Sequence, residues 1–210
     1  MRKRIIIPKG LYGITGEKFA NGKTNYQCVK EMIDGGIKVI QYREKEKSMK
    51  EMVEEAKKIR DLCRENSVLF IVNDHVDLAL LIDADGVHVG QDDMDVNDAR
   101  TLIGDNKIIG LSTHSPEQGK KAFENNNVDY IGVGPIFPTT TKDTAPVGLK
   151  YLDYVLENIK MPFVAIGGIK ISNIDKIISR NAHSICMVSE IVKNDNIKEF
   201  VKKYQNILLK

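Results

Sequence analysis

The sequence predicts an α/β protein: one closed parallel (β/α)8 barrel, a TIM barrel, over residues 1–210. Two observations carry that expectation. Eight short apolar runs alternate with helical patterns, and nearly every run ends in a small polar cluster. Val39-Ile40 leads into Gln41-Tyr42-Arg43-Glu44-Lys45, Leu69-Phe70-Ile71-Val72 into Asn73-Asp74, and Val87-His88-Val89-Gly90 into Gln91-Asp92-Asp93. Ile108-Ile109-Gly110-Leu111 leads into Ser112-Thr113-His114, and Tyr130-Ile131-Gly132-Val133-Gly134 into Pro135-Ile136-Phe137-Pro138-Thr139-Thr140-Thr141-Lys142. A closed barrel sets all strand C-termini on one face, where they build a site jointly. The runs also lack polar alternation, as expected of strands buried on both faces. An open doubly wound sheet would more often show a Gly-rich turn after its first strand, and Gly13-Ile14-Thr15-Gly16 is too thin for that.

The elements follow in order. A strand over 11–15 precedes a helix capped by Thr24 and ended by Gly35-Gly36. A second strand covers 38–43. Ser48 then caps a long amphipathic helix to 65, with Met49, Met52, Val53, Ala56, Ile59 and Cys63 at helical spacing. Strands over 69–73 and 86–90 flank a short helix over 76–82. Asp95 caps a helix to 103, and a fifth strand covers 108–112. Ser115-Pro116-Glu117 opens the next helix, with proline in the first turn, where its missing N–H costs nothing. Strands over 130–134, 162–168 and 184–189 and helices over 149–158, 171–180 and 197–209 complete the barrel. The stretch 135–148 is the longest irregular segment and reads as a functional loop, a candidate lid.

Bulk composition excludes several classes. With 210 residues, 42% hydrophobic and 29% charged, the chain suits one globular domain with a large core. A net charge of +2 implies no broad nucleic-acid or membrane footprint. No apolar run reaches the length of a membrane span. The N-terminal Met1-Arg2-Lys3-Arg4 is followed by only three apolar residues, Ile5 to Ile7, too few for a signal peptide, so a lead-in segment is expected. Cys28, Cys63 and Cys186 are far apart and share no metal spacing. They read as reduced packing residues of a cytoplasmic protein.

The strand-end clusters carry the chemistry. Residues two apart on a strand point the same way, so Gln41, Arg43 and Lys45 project together while Tyr42 and Glu44 face away. An amide beside two cations could hold a polar ring and its phosphate; alone, the cluster would read as a solvated turn with Lys47 and Lys50. Asn73-Asp74 and Gln91-Asp92-Asp93 end neighbouring strands, so Asp74 and Asp93 could share a hard cation. Mg²⁺ suits one or two carboxylates, water and substrate phosphates. Asp95, and Asp92 with it, is read as helix capping, and Asp85 as a turn residue. The Thr-rich loop with Lys142 could bind an anion. Gly167-Gly168 and Val188-Ser189, ending the last strands, could hold phosphate on backbone amides. A tight turn is an equal explanation for the two glycines. His88 is expected to line the barrel, and His75 to start a helix near the metal pair. His114 is ambiguous.

Together these segments, with Ile166-Gly167-Gly168-Ile169, resemble the thiamine-phosphate synthase family over nearly the whole chain, in order. The resemblance implies a Mg²⁺-dependent transferase. It would condense 4-amino-2-methyl-5-hydroxymethylpyrimidine diphosphate with hydroxyethylthiazole phosphate to thiamine phosphate and diphosphate. By matching position, it implies that Gln41 contacts the pyrimidine. Arg43, Lys45, Asn73, Ser112 and Lys142 hold the diphosphate, with Arg43, Lys45, Ser112 and Lys142 as the catalytic group. Asp74 and Asp93 bind Mg²⁺, and Thr139, Thr141, Gly168, Val188 and Ser189 hold the thiazole phosphate. Whether a carboxylated thiazole is accepted, and whether the chain forms a homo-oligomer, stay open. The alternatives are a thiazole tautomerase using His114 as a proton shuttle, and a non-catalytic barrel that binds thiamine precursors.

Overall fold

The computed structural model describes residues 7–139 and 145–209. Eight parallel strands close on themselves in sequence order. They are β1 (Gly10–Ile14), β2 (Val39–Tyr42), β3 (Leu69–Asn73), β4 (Gly86–Val89), β5 (Ile108–Thr113), β6 (Tyr130–Val133), β7 (Phe163–Ile166) and β8 (Ser184–Cys186). The closing pair is β1 with β8, through Gly10 with Ser184 and Leu11 with Ile185. The connecting helices are α1 (Asn25–Asp34), α2 (Met49–Glu65), α3 (Val76–Leu81), α4 (Val96–Ile103), α5 (Pro116–Glu124), α6 (Gly148–Asn158), α7 (Asp175–Ile178) and α8 (Val188–Val192). Helix α9 (Ile197–Leu208) follows.

The expected caps are in place. Thr24 and Ser48 each accept the N3 amide and receive the N3 side chain in return, through Gln27 and Glu51. Asp95 accepts from the Asn97 amide, which fixes its capping role. Asp92 lines the cavity at the barrel mouth instead.

Two apolar layers follow from the pleat. Tyr12, Ile14, Val39, Ile71, Ile108, Tyr130, Val164 and Cys186 point inward and, with Ile7, fill the barrel axis. The alternate residues, such as Leu11, Ile40, Phe70, Val87, Ile109 and Ile131, pack outward against the helices. Polar side chains, Asp129 and Gln205 buried and Asp85 half-buried, tie strand starts at the N-terminal face. Asp85 accepts from the Phe70 amide, Asp129 from the Ile109 amide, and Gln205 from the Leu11 amide. Asp85, expected as a simple turn residue, is one of these ties.

Three expected elements differ. Strand β7 stops at Ile166 because Gly167 and Gly168 turn out of the sheet at φ +95° and +63°. Strand β8 stops at Cys186, and Val188 and Ser189 open α8 rather than ending a strand. Of the helix expected over 171–180, only Asp175–Ile178 forms as α7. Upstream, Asn173 accepts from the Lys170 amide and donates to the Gly168 carbonyl, competing with helical backbone bonds.

Candidate active site

The C-terminal ends of the strands surround a cavity of about 790 Å³. Gln41, Arg43 and Lys45 all line it. Although β2 ends at Tyr42, the alternation continues past it. The Tyr42 hydroxyl turns outward to donate to Glu55 at 2.8 Å. Arg43 is positioned by a residue without an obvious sequence signal. The Thr15 hydroxyl accepts from the Arg43 amide at 2.8 Å and donates to its carbonyl at 3.0 Å. Thr15 is fully buried, so this clasp is shielded from water.

Asn73, Asp74, Asp92 and Asp93 line the adjoining wall. Asp74 sits at φ +62°, a left-handed conformation that Asp tolerates better than most residues. Its Oδ2 accepts from Lys45 Nζ at 2.6 Å. Asp93 Oδ2 accepts from the Gly90 amide at 2.7 Å. Each carboxylate commits one oxygen in this way; both line the same cavity, and carboxylate oxygens are the hard donors that Mg²⁺ takes. His75 lies outside the cavity lining, at the start of α3.

Ser112 faces the cavity from β5, and its carbonyl accepts from Gln91 Nε2 at 2.6 Å. Its hydroxyl meets His88 Nε2 at 3.0 Å. His114 also reaches the cavity, with Nδ1 2.5 Å from the Gly134 carbonyl and so donating to it.

Across the mouth lie Thr139, Gly168, Val188 and Ser189. The glycines serve packing as well as turning. A Cβ on Gly167 would lie 2.4 Å from Pro135 Cα, and one on Gly168 2.4 Å from the Pro138 carbonyl oxygen. The loop after β6 is pinned here, since the Ile136 and Phe137 amides donate to Ile166 and Gly167. Thr140, Thr141 and Lys142, and with them the middle of the candidate lid, lie outside the described residues. Gly168→Ala is expected to cost about 1–3 kcal/mol, through the positive φ and the clash with Pro138, as thermal melts would show.

Beside the site, Glu17, Glu44 and Glu55 bring carboxylate oxygens within 4.8 Å of one another, a spacing that could hold a metal ion. The Lys47 ammonium sits among them, 2.6 Å from Glu17, 2.8 Å from Glu55 and 3.8 Å from Glu44. Burial raises the Glu17 pKa, but hydrogen bonds from Lys47 and the Asn25 amide outweigh it and hold the group below its ordinary value. A depressed carboxylate contributes stability above its unfolded pKa and loses it on acidification. Wild type is therefore expected to lose melting temperature as pH falls below 4.5. Glu17→Gln should flatten that acid arm, as melts across the range would show.

The three cysteines are free and buried. Burial raises all three pKa values, to about 11 for Cys28, to about 12 for Cys63 and further for Cys186.

A model of the family described as thiamine monophosphate synthase matches residues 11–191. The chain belongs to that family. A thiamine-phosphate synthase from Pelotomaculum thermopropionicum is 54% identical over 205 residues, covering 97% of this chain and 94% of the relative. One from Lawsonia intracellularis is 48% identical, covering 95% and 92%. The solved thiamine phosphate pyrophosphorylase from Pyrococcus furiosus superposes with a TM-score of 0.87 at 36% identity, covering 95% of each chain. No helix among the described residues is long and apolar enough to cross a membrane. The family match takes in the cavity lining from Tyr12 on β1 to Glu190 on α8.

Proposed function

We propose that this chain is a thiamine-phosphate synthase. It joins 4-amino-2-methyl-5-hydroxymethylpyrimidine diphosphate to hydroxyethylthiazole phosphate, plain or carboxylated, and releases diphosphate. The observation that carries this reading is that one cavity gathers both sets of residues: Arg43, Lys45, Asn73, Asp74, Asp93 and Ser112 come from the β2–β5 part of the barrel, and Thr139, Gly168, Val188 and Ser189 from the β6–β8 part.

The chemistry needs little proton transfer. The thiazole nitrogen already has a lone pair, so no base must create the nucleophile. The bond between the exocyclic CH₂ and the diphosphate oxygen breaks, and its electron pair leaves with the diphosphate. The pyrimidine amino group stabilises the resulting cation, and the thiazole nitrogen captures it to form the new C–N bond. The task of the protein is to stabilise the departing charge and align the two rings. Arg43 offers a bidentate fork, Lys45 a point charge, and Ser112 and Asn73 neutral donors. Lys142, outside the described residues, is assigned to the same group. Asp74 and Asp93 would hold Mg²⁺, whose charge at the leaving oxygens would add to theirs.

The test is product formation from the two substrates with Mg²⁺ and with EDTA. Metal-dependent appearance of thiamine phosphate and diphosphate in equal amounts is expected. Intact substrates would overturn the reading. Isomerisation of a thiazole precursor, abolished by His114→Ala, would support the tautomerase in its place. Binding of both substrates without turnover would support a sensor.

A further inference from the structure

The barrel axis holds a polar chain whose middle, Tyr12, Tyr130 and His88, the leaving-group chemistry does not use. Gln41 Nε2 donates to the Tyr12 hydroxyl at 3.0 Å. The Tyr12 and Tyr130 hydroxyls lie 2.8 Å apart, and Tyr130 meets His88 Nδ1 at 2.9 Å. His88 Nε2 then meets Ser112 Oγ at 3.0 Å. All five residues line the cavity, and Tyr12, Tyr130 and His88, between the two ends, are buried. Glycine makes the space for it. A Cβ on Gly110 would lie 2.3 Å from Tyr130 Cζ and 2.4 Å from His88 Nδ1.

The chain has one self-consistent direction. Because the Gln41 amide donates, Tyr12 accepts there and must give its only proton to Tyr130. Tyr130 in turn gives its proton to His88 Nδ1. The neutral imidazole then carries its hydrogen on Nε2 and donates to Ser112 Oγ, which leaves the serine proton free for a ligand. Burial raises the pKa of both tyrosines, so both hydroxyls keep their protons. At the other end, Nε2 carries two hydrogens: one goes to the Tyr12 hydroxyl, and the Tyr130 hydroxyl also receives a hydrogen bond from the Gln41 side chain, so Oε1 is the part of the amide left to meet a ligand.

We infer that the chain Gln41–Tyr12–Tyr130–His88–Ser112 fixes the polarity of the pyrimidine diphosphate site, presenting an acceptor at Gln41 to the ring and a donor at Ser112 to the diphosphate. Tyr130 and His88 are positioning residues in it. The inference rests on the synthase reading and deepens it. An acceptor held at Gln41 selects an aminopyrimidine, whose exocyclic N–H can donate, over an oxopyrimidine, which offers a carbonyl there. Sites built to pair one polar group reject its mismatch strongly, because the buried partner is left unpaired.

Two measurements test it. The first is the ¹⁵N spectrum of histidine-labelled, ligand-free protein. His88 is expected as the Nε2–H tautomer with a hydrogen-bonded Nδ1 acceptor. An Nδ1–H tautomer would overturn the inference whatever the enzyme's activity. The second is the ratio of kcat/KM for the amino and oxo pyrimidine diphosphates in wild type and Tyr130→Phe. The substitution keeps the ring and removes the central link, so the Gln41 amide can reverse. The ratio is expected to fall at least about 10-fold, with the loss concentrated in KM for the amino substrate. An unchanged ratio in a folded variant would overturn the inference. Should Tyr130→Phe fail to fold, Tyr12→Phe breaks the same chain one link nearer Gln41, with the same expected fall. Absence of turnover in wild type would count against the synthase reading alone, since the tautomer is read without substrate.

Discussion

Asp74→Ala is expected to lower kcat/KM by about 10²–10³-fold, the usual consequence of removing one group that stabilises developing charge. The loss should fall on kcat, because the charge on the departing diphosphate grows only as the bond breaks. The Mg²⁺ concentration needed for half-maximal rate should rise with it. Asp74 Oδ2 orients Lys45 Nζ at 2.6 Å, and the proposed mechanism assigns its other oxygen to the cation. Lys45→Ala and Asp74→Ala should therefore be non-additive, with the double variant little worse than the worse single one. Asp74→Asn separates charge from backbone, since Asn accepts the φ of +62° as readily as Asp. It should fold like wild type and still lose the rate. Wild-type turnover and Mg²⁺ response in Asp74→Ala would remove the metal assignment.

Arg100→Ala is expected to have the largest effect on stability, about 3–5 kcal/mol, or a fall in melting temperature of about 6–20 °C. The Arg100 guanidinium donates to the Gly104 and Lys107 carbonyls, each at 2.7 Å, and to the Asn127 carbonyl at 3.0 Å. It also donates to Asp129 Oδ2 at 2.8 Å, and Asp129 is fully buried. Alanine would strand that carboxylate and three carbonyls without the cation. Because Asp129 also anchors the Ile109 amide, the start of β5 should loosen. The cluster lies at the N-terminal face, away from the cavity, so the folded variant should keep its kcat. A melt within 1–2 °C of wild type would show that the buried pair contributes little.

The leaving-group wall was legible in the sequence because strand alternation is short-ranged. Gln41, Arg43 and Lys45 sit two apart, and the structure keeps them on one side even beyond the last ladder bond of β2. Asp74 and Asp93 were readable as ends of adjacent strands. The other wall was legible in residue but not in element. Val188 and Ser189 looked like strand because apolar residues run through Val188, yet the chain turns at Met187 into α8. Lys47 read as a solvated cation, although Glu17, 30 residues earlier, and Glu55 hold it.

Contacts that depend on cross-barrel register left no local trace. Tyr12 and Tyr130 are 118 residues apart and meet only when the barrel closes. Thr15 reaches Arg43 because Ile14 pairs with Gln41. A tyrosine or threonine in an apolar run carries the same pattern whether or not it has such a partner. His88 could be placed inside the barrel from its position on β4, but not given its two hydrogen bonds.

In the proposed mechanism this cavity stabilises a diphosphate departing from a pyrimidinylmethyl carbon that becomes cationic. The most direct test is the single-turnover rate of diphosphate release as electron-withdrawing groups are placed on the pyrimidine. A steep fall is expected, by orders of magnitude for a strongly withdrawing group, with substrate binding little changed. A rate that stays level across the series would contradict it and point to direct displacement by the thiazole nitrogen.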